Sequence, residues 1–131
     1  LRVDFSLEVR DIEVAVMDEL AKVILAKFQE VAEARGVELS WELTSDIKPA
    51  PLAGPVRHTI GRVASELGYA WQDMPSGAGH DAQHLASICP TGMIFVPSKG
   101  GISHSPFEFT ADDDCVRGAN VLLNTIVQLA K

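Results

Sequence analysis

Three of the chain's four histidines lie between residues 76 and 106, and two of them, His80 and His84, form the pattern H-D-x-x-H. Histidines four residues apart share one face of a helix, where they can bind zinc beside an acidic residue that acts as a base. Two features count against that chemistry: the acid is the shorter Asp81, and a glycine-rich turn places His80 in the first turn of the helix. We therefore interpret His84 as a packed or solvent-facing helix residue, with the zinc site as the alternative.

The turn before His80 is glycine-rich and reads Ser76-Gly77-Ala78-Gly79. Such a turn ahead of a helix presents backbone N–H groups that suit a carboxylate, a phosphate or a developing oxyanion. The alternative is a tight turn that needs its glycines only for its own backbone. The turn is not followed by Lys-Ser/Thr and does not match G-x-G-x-x-G, so nucleotide binding is not expected.

His104 lies in the stretch GGISHSPFE, after the apolar run at residues 92–97. Loops that follow strands commonly carry the chemistry of α/β proteins. A histidine there can be a metal ligand, with Glu108 nearby to orient its ring. A lone loop histidine is also commonly a surface residue. We expect His58 to be a surface residue of a helix.

Arg10 ends the first alternating segment, two residues after Glu8. The planar guanidinium of arginine can bind a carboxylate through two parallel hydrogen bonds. Arg10 is therefore a candidate clamp for a substrate carboxylate, and the alternative is a solvated arginine at the end of a strand.

The first 47 residues show two periodicities. Residues 2–10 alternate like a half-buried strand, with one face made of Leu1, Val3, Phe5, Leu7 and Val9. Residues 12–36 have helical apolar steps, and Gly36 suits a helix C-cap. Residues 37–43 alternate again, so the pattern predicts strand–helix–strand.

A boundary and a second series of elements follow. Lys48 to Pro55 carries three prolines and one glycine in eight residues, which predicts a hinge. Beyond it we predict a helix from Pro55 to Glu66, a short helix at 80–89 and a buried strand at 92–97. Thr110 is the expected N-cap of a last helix, and three aspartates in its first turn suit the helix dipole. The apolar stripe predicted for this helix is Val116, Ala119, Leu122, Leu123, Ile126 and Ala130.

Composition limits the partners and the cellular compartment that we expect for this chain. The net charge of -7 argues against nucleic acid or an anionic membrane as a partner. No apolar run reaches the roughly 18 residues of a membrane span. Cys89 and Cys115 lack C-x-x-C spacing, so we expect buried free thiols in a reducing cytoplasm, with a disulfide between them as the alternative. The chain begins without Met and already in strand-like alternation, so we expect a piece of a longer protein.

Three stretches together resemble a known family. They are MPSGAGHDAQHLA, PTGMIFVPSKGGISHSPFEFT and GANVLL, in that order, and VDFSLEVRD precedes them. They resemble the C-terminal end of the amidase/hydantoinase/carbamoylase family, which belongs to the zinc-exopeptidase-like superfamily and includes N-carbamoyl-L-amino acid hydrolases, allantoate amidohydrolases and beta-ureidopropionases. The family usually has Asp where this chain has Glu8.

The resemblance implies roles for individual residues. His104 is similar to the last ligand of a two-metal site, with zinc first and manganese, cobalt or nickel as alternatives. Gly77, Gly79 and His80 are similar to a turn that contacts the substrate. Arg10 is similar to a lid arginine that grips the substrate carboxylate in the active site of the partner subunit. The other metal ligands and the catalytic glutamate would lie upstream, so no catalytic base is expected in this chain.

The resemblance also implies an architecture and an activity. The fold expected is α/β: residues 1–47 end a ferredoxin-like lid and dimerisation domain, 48–55 form the hinge, and 56–131 belong to the catalytic domain. The activity expected for the parent protein, a homodimer, is metal-dependent hydrolysis of linear amide or ureido bonds in small carboxylate-bearing substrates. The 131-residue chain alone is expected to be inactive. The alternatives are a non-catalytic fragment that supplies lid and dimer contacts, and an aminoacylase or peptidase of the same superfamily.

Overall fold

The computed structural model describes residues 2–131 and divides the chain into two compact units. Leu1, which the alternation assigns to the apolar face of the first segment, lies outside the described residues. The first unit runs to Ala50 and adds Pro75–Ala78, and the second comprises Pro51–Met74 and Gly79–Lys131. The division after Ala50 falls inside the stretch predicted as a hinge. The boundaries of the parent protein's domains stay a prediction.

Helix α1, Val14–Arg35, is the main element of the first unit. It ends at Gly36, whose left-handed φ of 62° lets its N–H bond the carbonyls of Ala32 and Glu33. The predicted helix and its C-cap are therefore confirmed. Ala32 is buried, and the Phe28 ring packs edge-on against the Phe5 ring with centroids 5.6 Å apart.

The two alternating segments of this unit, 2–10 and 37–43, are not strands within residues 2–131. A strand needs a neighbour to complete its ladder, and among the described residues neither segment finds one. Large apolar side chains in both segments, such as Phe5 and Trp41, are exposed. The strand–helix–strand arrangement is thus not confirmed. An alternating sequence indicates which side chains would share an apolar face, but it does not show that a neighbouring strand is present to pair with.

The core of the second unit lies between two helices, α2 (Gly54–Glu66) and the last helix (Asp112–Leu129). Val63, which is 1% exposed, packs there with Ala64 and Val121. Pro lies in the first turn of α2, as predicted. Glycine at position 61 permits a close approach, since a β-carbon there would lie 2.6 Å from the ring of Trp71.

A short helix, α3 (Asp81–Leu85), lies between these two, and the last helix is therefore α4. Helix α3 covers half of the stretch predicted as helical at 80–89. The N-cap of α4 is Ala111 and not the predicted Thr110, while the three aspartates of its first turn are where the sequence puts them. No helix in the part of the chain that the structure describes is long and apolar enough to cross a membrane.

The face of α4 that packs within this unit is not the predicted apolar stripe. Val121 and Thr125 are buried, whereas Leu122, Leu123 and Ile126 of the predicted stripe are exposed. The packed face also holds Gly118, where a β-carbon would lie 2.5 Å from Cγ1 of Val96. Helix α4 has two apolar faces, and sequence periodicity alone does not show which of them is buried. The predicted face is therefore wrong.

Two further expectations about burial are wrong. Residues 92–97 do not form a strand with any described residue, and within this run Gly92 to Ile94 are half-buried while Phe95 to Pro97 are exposed. Cys89 and Cys115 are free thiols as expected, but both are exposed. Cys89 follows α3 in a loop, and Cys115 lies beside the packed face of α4, so neither position points its thiol at the small core.

Candidate functional site

The loop from Ser98 to Phe109 carries His104 and is closed by its own backbone. The N–H of Lys99 donates to the carbonyl of Phe109 at 2.8 Å, and the N–H of Gly101 donates to the carbonyl of Ser98 at 2.9 Å. Gly100 and Gly101 have φ values of 66° and 69°, which glycine adopts without steric cost. The result is a compact loop with adjacent ends, a type that is frequently functional.

His104 has an unusual backbone and an unoccupied ring. With φ at 53°, it is the only non-glycine residue of 2–131 in the left-handed region. Its backbone N–H donates to Oε2 of Glu108 at 2.8 Å. The side chain is exposed, and no described residue forms a hydrogen bond with its imidazole. Both ring nitrogens are therefore available, one for a metal ion and the other for a group that would orient the ring.

The turn after His104 explains how Glu108 reaches it. The N–H of Glu108 donates to the carbonyl of Ser105 at 3.0 Å, and the N–H of Phe107 donates to Oγ of Ser105 at 3.3 Å. The sequence Ser-Pro-Phe-Glu has the S-x-x-E spacing of a capping box, but Glu108 here reaches the N–H of His104, one residue before Ser105, and no helix follows. Glu108 was expected beside the ring of His104, whereas S-x-x-E spacing is typical of a glutamate that bonds a nearby backbone N–H.

His80 is held through its ring. It is the N-cap of α3, with extended φ and ψ of -151° and 150°, and its Nδ1 accepts a hydrogen bond from the N–H of Ala82 at 3.1 Å. An acceptor at Nδ1 leaves Nε2 as the N–H of the neutral ring. His80 can therefore donate one hydrogen bond from Nε2 to a ligand.

The geometry does not favour the H-D-x-x-H zinc site. His84 lies within α3, but His80 lies before it with Nδ1 already occupied, so the two rings do not share a helix face as that motif requires. Across residues 2–131, no three histidine, cysteine or acidic side chains are grouped closely enough to hold a metal. His58 is exposed on α2, as expected.

The glycines of the turn are not explained by the turn itself. Neither Gly77 nor Gly79 has a positive φ, and a β-carbon at either would meet no atom within 4 Å. The open space beside each leaves room for another molecule. The N-terminus of α3 is a weaker candidate for binding an anion than the sequence suggested. Helix α3 has only five residues, and the ring of His80 already accepts the N–H of Ala82.

Arg10 and Gly77, two of the predicted substrate-binding residues, are in direct contact within the first unit. Nη1 of Arg10 donates to the carbonyl of Gly77. Nε and Nη2 of Arg10 both lie 2.8 Å from Oε1 of Glu8. The Arg10 side chain is 58% exposed, so these contacts are solvated and open to exchange with a ligand.

Comparison with known proteins assigns the chain to a family. The sequence profile described as peptidase family M20/M25/M40 matches residues 4–128. The chain is 42% identical over 130 residues to an N-carbamoyl-L-amino acid amidohydrolase from Geobacillus stearothermophilus, covering 99% of this chain and 32% of that protein. It is 32% identical over 129 residues to an allantoate amidohydrolase from Bacillus subtilis, covering 98% of this chain and 31% of that protein.

Solved structures agree with the sequence relatives. The structure of an amidase of the hydantoinase/carbamoylase family from Burkholderia multivorans matches with a TM-score of 0.85 at 32% identity, over 90% of this chain and 29% of that one. The chain thus spans about a third of the length of the curated relatives it matches. The resemblance to hydantoinase/carbamoylase amidases is confirmed, and the chain belongs to peptidase family M20/M25/M40.

Proposed function

We propose that the parent protein is a metal-dependent amidohydrolase that cleaves the linear C–N bond of N-carbamoyl amino acids or related ureides. The observation that carries this proposal is the 42% identity, across nearly the whole chain, to a relative named N-carbamoyl-L-amino acid amidohydrolase. Two other relatives are named for allantoate and for ureidoglycolate, and both compounds carry a ureido group and a carboxylate.

His104 would supply one metal ligand. Its exposed imidazole, with no partner among residues 2–131, fits that role. The described residues hold no three-ligand group, so the remaining ligands of a two-metal site and the general base would come from residues outside this chain. When bound, the divalent metals polarise the carbonyl and lower the pKa of water. Zinc is the first choice, with manganese, cobalt or nickel also compatible with histidine and carboxylate ligands.

Gly77, Gly79 and His80 would contact the substrate, and Arg10 would grip a substrate carboxylate in the active site of the partner subunit. Arg10 can exchange the neutral carbonyl of Gly77 for a substrate carboxylate, which is a stronger, charge-assisted acceptor for its fork. Nε2–H of His80 can donate to a substrate oxygen. The space beside the two glycines admits a ligand close to the backbone.

The wider architecture belongs to the same proposal. Residues 1–47 would end a ferredoxin-like lid through which a homodimer forms, 48–55 would be the hinge, and 56–131 would complete an α/β catalytic domain of a cytoplasmic enzyme. The broad exposure of large apolar side chains supports burial against further protein. A chain with one ligand and no base is expected to be inactive by itself.

Hydrolysis by the full-length protein tests the proposal. N-carbamoyl-L-amino acids, allantoate, N-acetyl amino acids and dipeptides are compared before and after chelation, then with each metal restored. We expect turnover of ureido substrates only with metal present, and none from residues 1–131 alone. Preference for N-acetyl amino acids or dipeptides would favour the aminoacylase or peptidase alternative. Absence of any turnover would favour the non-catalytic one.

A further inference from the structure

We propose that Glu108 is a positioning residue that holds His104 in its left-handed conformation through the backbone and thereby leaves the imidazole free. The role of His104 as a ligand rests on the proposed function, but the contact between the two residues does not. The bond joins Oε2 of Glu108 to the backbone N–H of His104 at 2.8 Å. The carboxylate thus acts on the main chain, and neither ring nitrogen is used.

The left-handed backbone at His104 needs a compensating contact. A side chain at positive φ crowds the backbone, and glycine is the usual residue there. The same loop follows that rule at Gly100 and Gly101 and departs from it only at position 104. A side chain is therefore kept at the strained position, which indicates that the side chain itself has a use.

Glu108 is itself fixed in place. Its own N–H is bonded to the carbonyl of Ser105, and Oγ of Ser105 accepts the N–H of Phe107. Pro106 restricts the backbone of the turn between them. The loop ends are joined just outside, at Lys99 and Phe109. This restrained turn places the Glu108 carboxylate next to the backbone N–H of His104. Because the acceptor is ionised, the hydrogen bond is stronger than one to a neutral oxygen.

The test uses the full-length protein in four forms: wild type, Glu108→Ala, Glu108→Gln and the control Glu42→Ala. Glu42 is an exposed acid for which the structure shows no bond in the region it describes. The first readout is amide hydrogen exchange at His104 in metal-free protein. We expect at least tenfold faster exchange in Glu108→Ala, a smaller change in Glu108→Gln, which keeps an acceptor oxygen, and no change in the control.

The second readout is metal affinity, measured by competition with a chelator. We expect about a 10- to 100-fold loss in Glu108→Ala, as for other residues that orient a metal ligand, and substantial rescue in Glu108→Gln. In turnover, kcat should fall while KM changes little, because the substrate contacts are elsewhere. Should Glu108→Ala fail to fold, Glu108→Gln alone must still show measurably faster exchange at His104 than wild type, because a neutral acceptor bonds the N–H more weakly than a carboxylate.

The two readouts separate failure of this inference from failure of the proposed function. Unchanged His104 exchange in both Glu108 variants overturns the inference. Faster exchange with unchanged metal affinity also overturns it, provided that His104→Ala loses the metal. If His104→Ala keeps the metal, the ligand assignment in the proposed function is wrong, and faster exchange still supports the hold of Glu108 on His104.

Discussion

His80 and His104 differ in which part of the residue a hydrogen bond fixes: the ring of His80, but the backbone N–H of His104. The ring of His80 accepts from the N–H of Ala82, and its extended backbone carries no strain. The ring of His104 is free while its left-handed backbone donates to Glu108. A histidine whose ring accepts a hydrogen bond can stabilise a turn and still donate one hydrogen bond to a ligand. A histidine held only by its backbone keeps both ring nitrogens available for ligands.

The contrast assigns different chemistry to two residues of the same type. Metal binding needs an unprotonated ring nitrogen pointing at the ion, with the second nitrogen oriented by another group. His104 keeps both nitrogens for that purpose. His80 has already used its acceptor, so it suits a hydrogen bond to substrate.

The largest effect is expected from His104. In the full-length protein, His104→Ala should lose a bound metal and nearly all turnover, a loss exceeding the roughly 10- to 100-fold typical of residues that only orient a ligand. His84→Ala is the matched control, since this exposed helix histidine should leave both unchanged. Metal analysis and kcat measure the outcome. The reverse pattern would restore the H-D-x-x-H zinc site.

The next effect concerns Arg10, which donates a hydrogen bond to the carbonyl of Gly77. A desolvated, charge-assisted bidentate bond is worth roughly 1.5–3 kcal/mol, so Arg10→Ala should lower kcat/KM about ten- to a few-hundred-fold. Arg10→Lys keeps the charge without the fork and should rescue only in part.

A substrate with its carboxylate amidated sharpens the test of Arg10. Wild type should prefer the acid, while Arg10→Ala should treat acid and amide nearly alike. Equal preference in both proteins would mean that Arg10 is only a solvated arginine and that the carboxylate is bound elsewhere.

A smaller effect separates the two uses of His80. His80→Asn keeps a side-chain acceptor for the N–H of Ala82 but loses Nε2–H, so stability should hold while kcat/KM falls roughly two- to tenfold. His80→Ala should lose the same activity and about 1 kcal/mol of stability with the cap. Urea unfolding and kinetics on one set of proteins measure both. Full activity in His80→Asn would remove the donor role.

The smallest effect is expected from Glu66, which joins α2 to α4 through Gln128. Hydrogen bonds from Arg62, and then from Gln128 of α4, lower the pKa of Glu66 below its usual 4.5. A lowered folded-state pKa contributes stability above about pH 4.5, and this is lost as pH falls through the folded value. The urea midpoint should therefore decrease slightly below that pH, and less so in Glu66→Gln. Identical pH profiles would show that the contact contributes nothing.

The helices of this protein were largely determined by local sequence. Gly36 ends α1 because glycine accepts the left-handed C-cap, and a proline lies in the first turn of α2 because its φ already suits that position. The family could also be identified from the two motifs around His80 and His104. Those features depend on neighbours in the chain, which the sequence contains.

Tertiary structure decided what depends on partners distant in the sequence or on competition between faces. The alternating segments have no strand neighbour within residues 2–131, so alternation did not become a sheet. Helix α4 could bury either of two apolar sides, and the close approach of Val96 at Gly118 selected the side with Val121. At the site, the residue types suggested that Glu108 orients the imidazole of His104. The tertiary structure shows instead that Glu108 bonds the backbone N–H of His104, because the left-handed φ at that position turns the N–H toward the carboxylate.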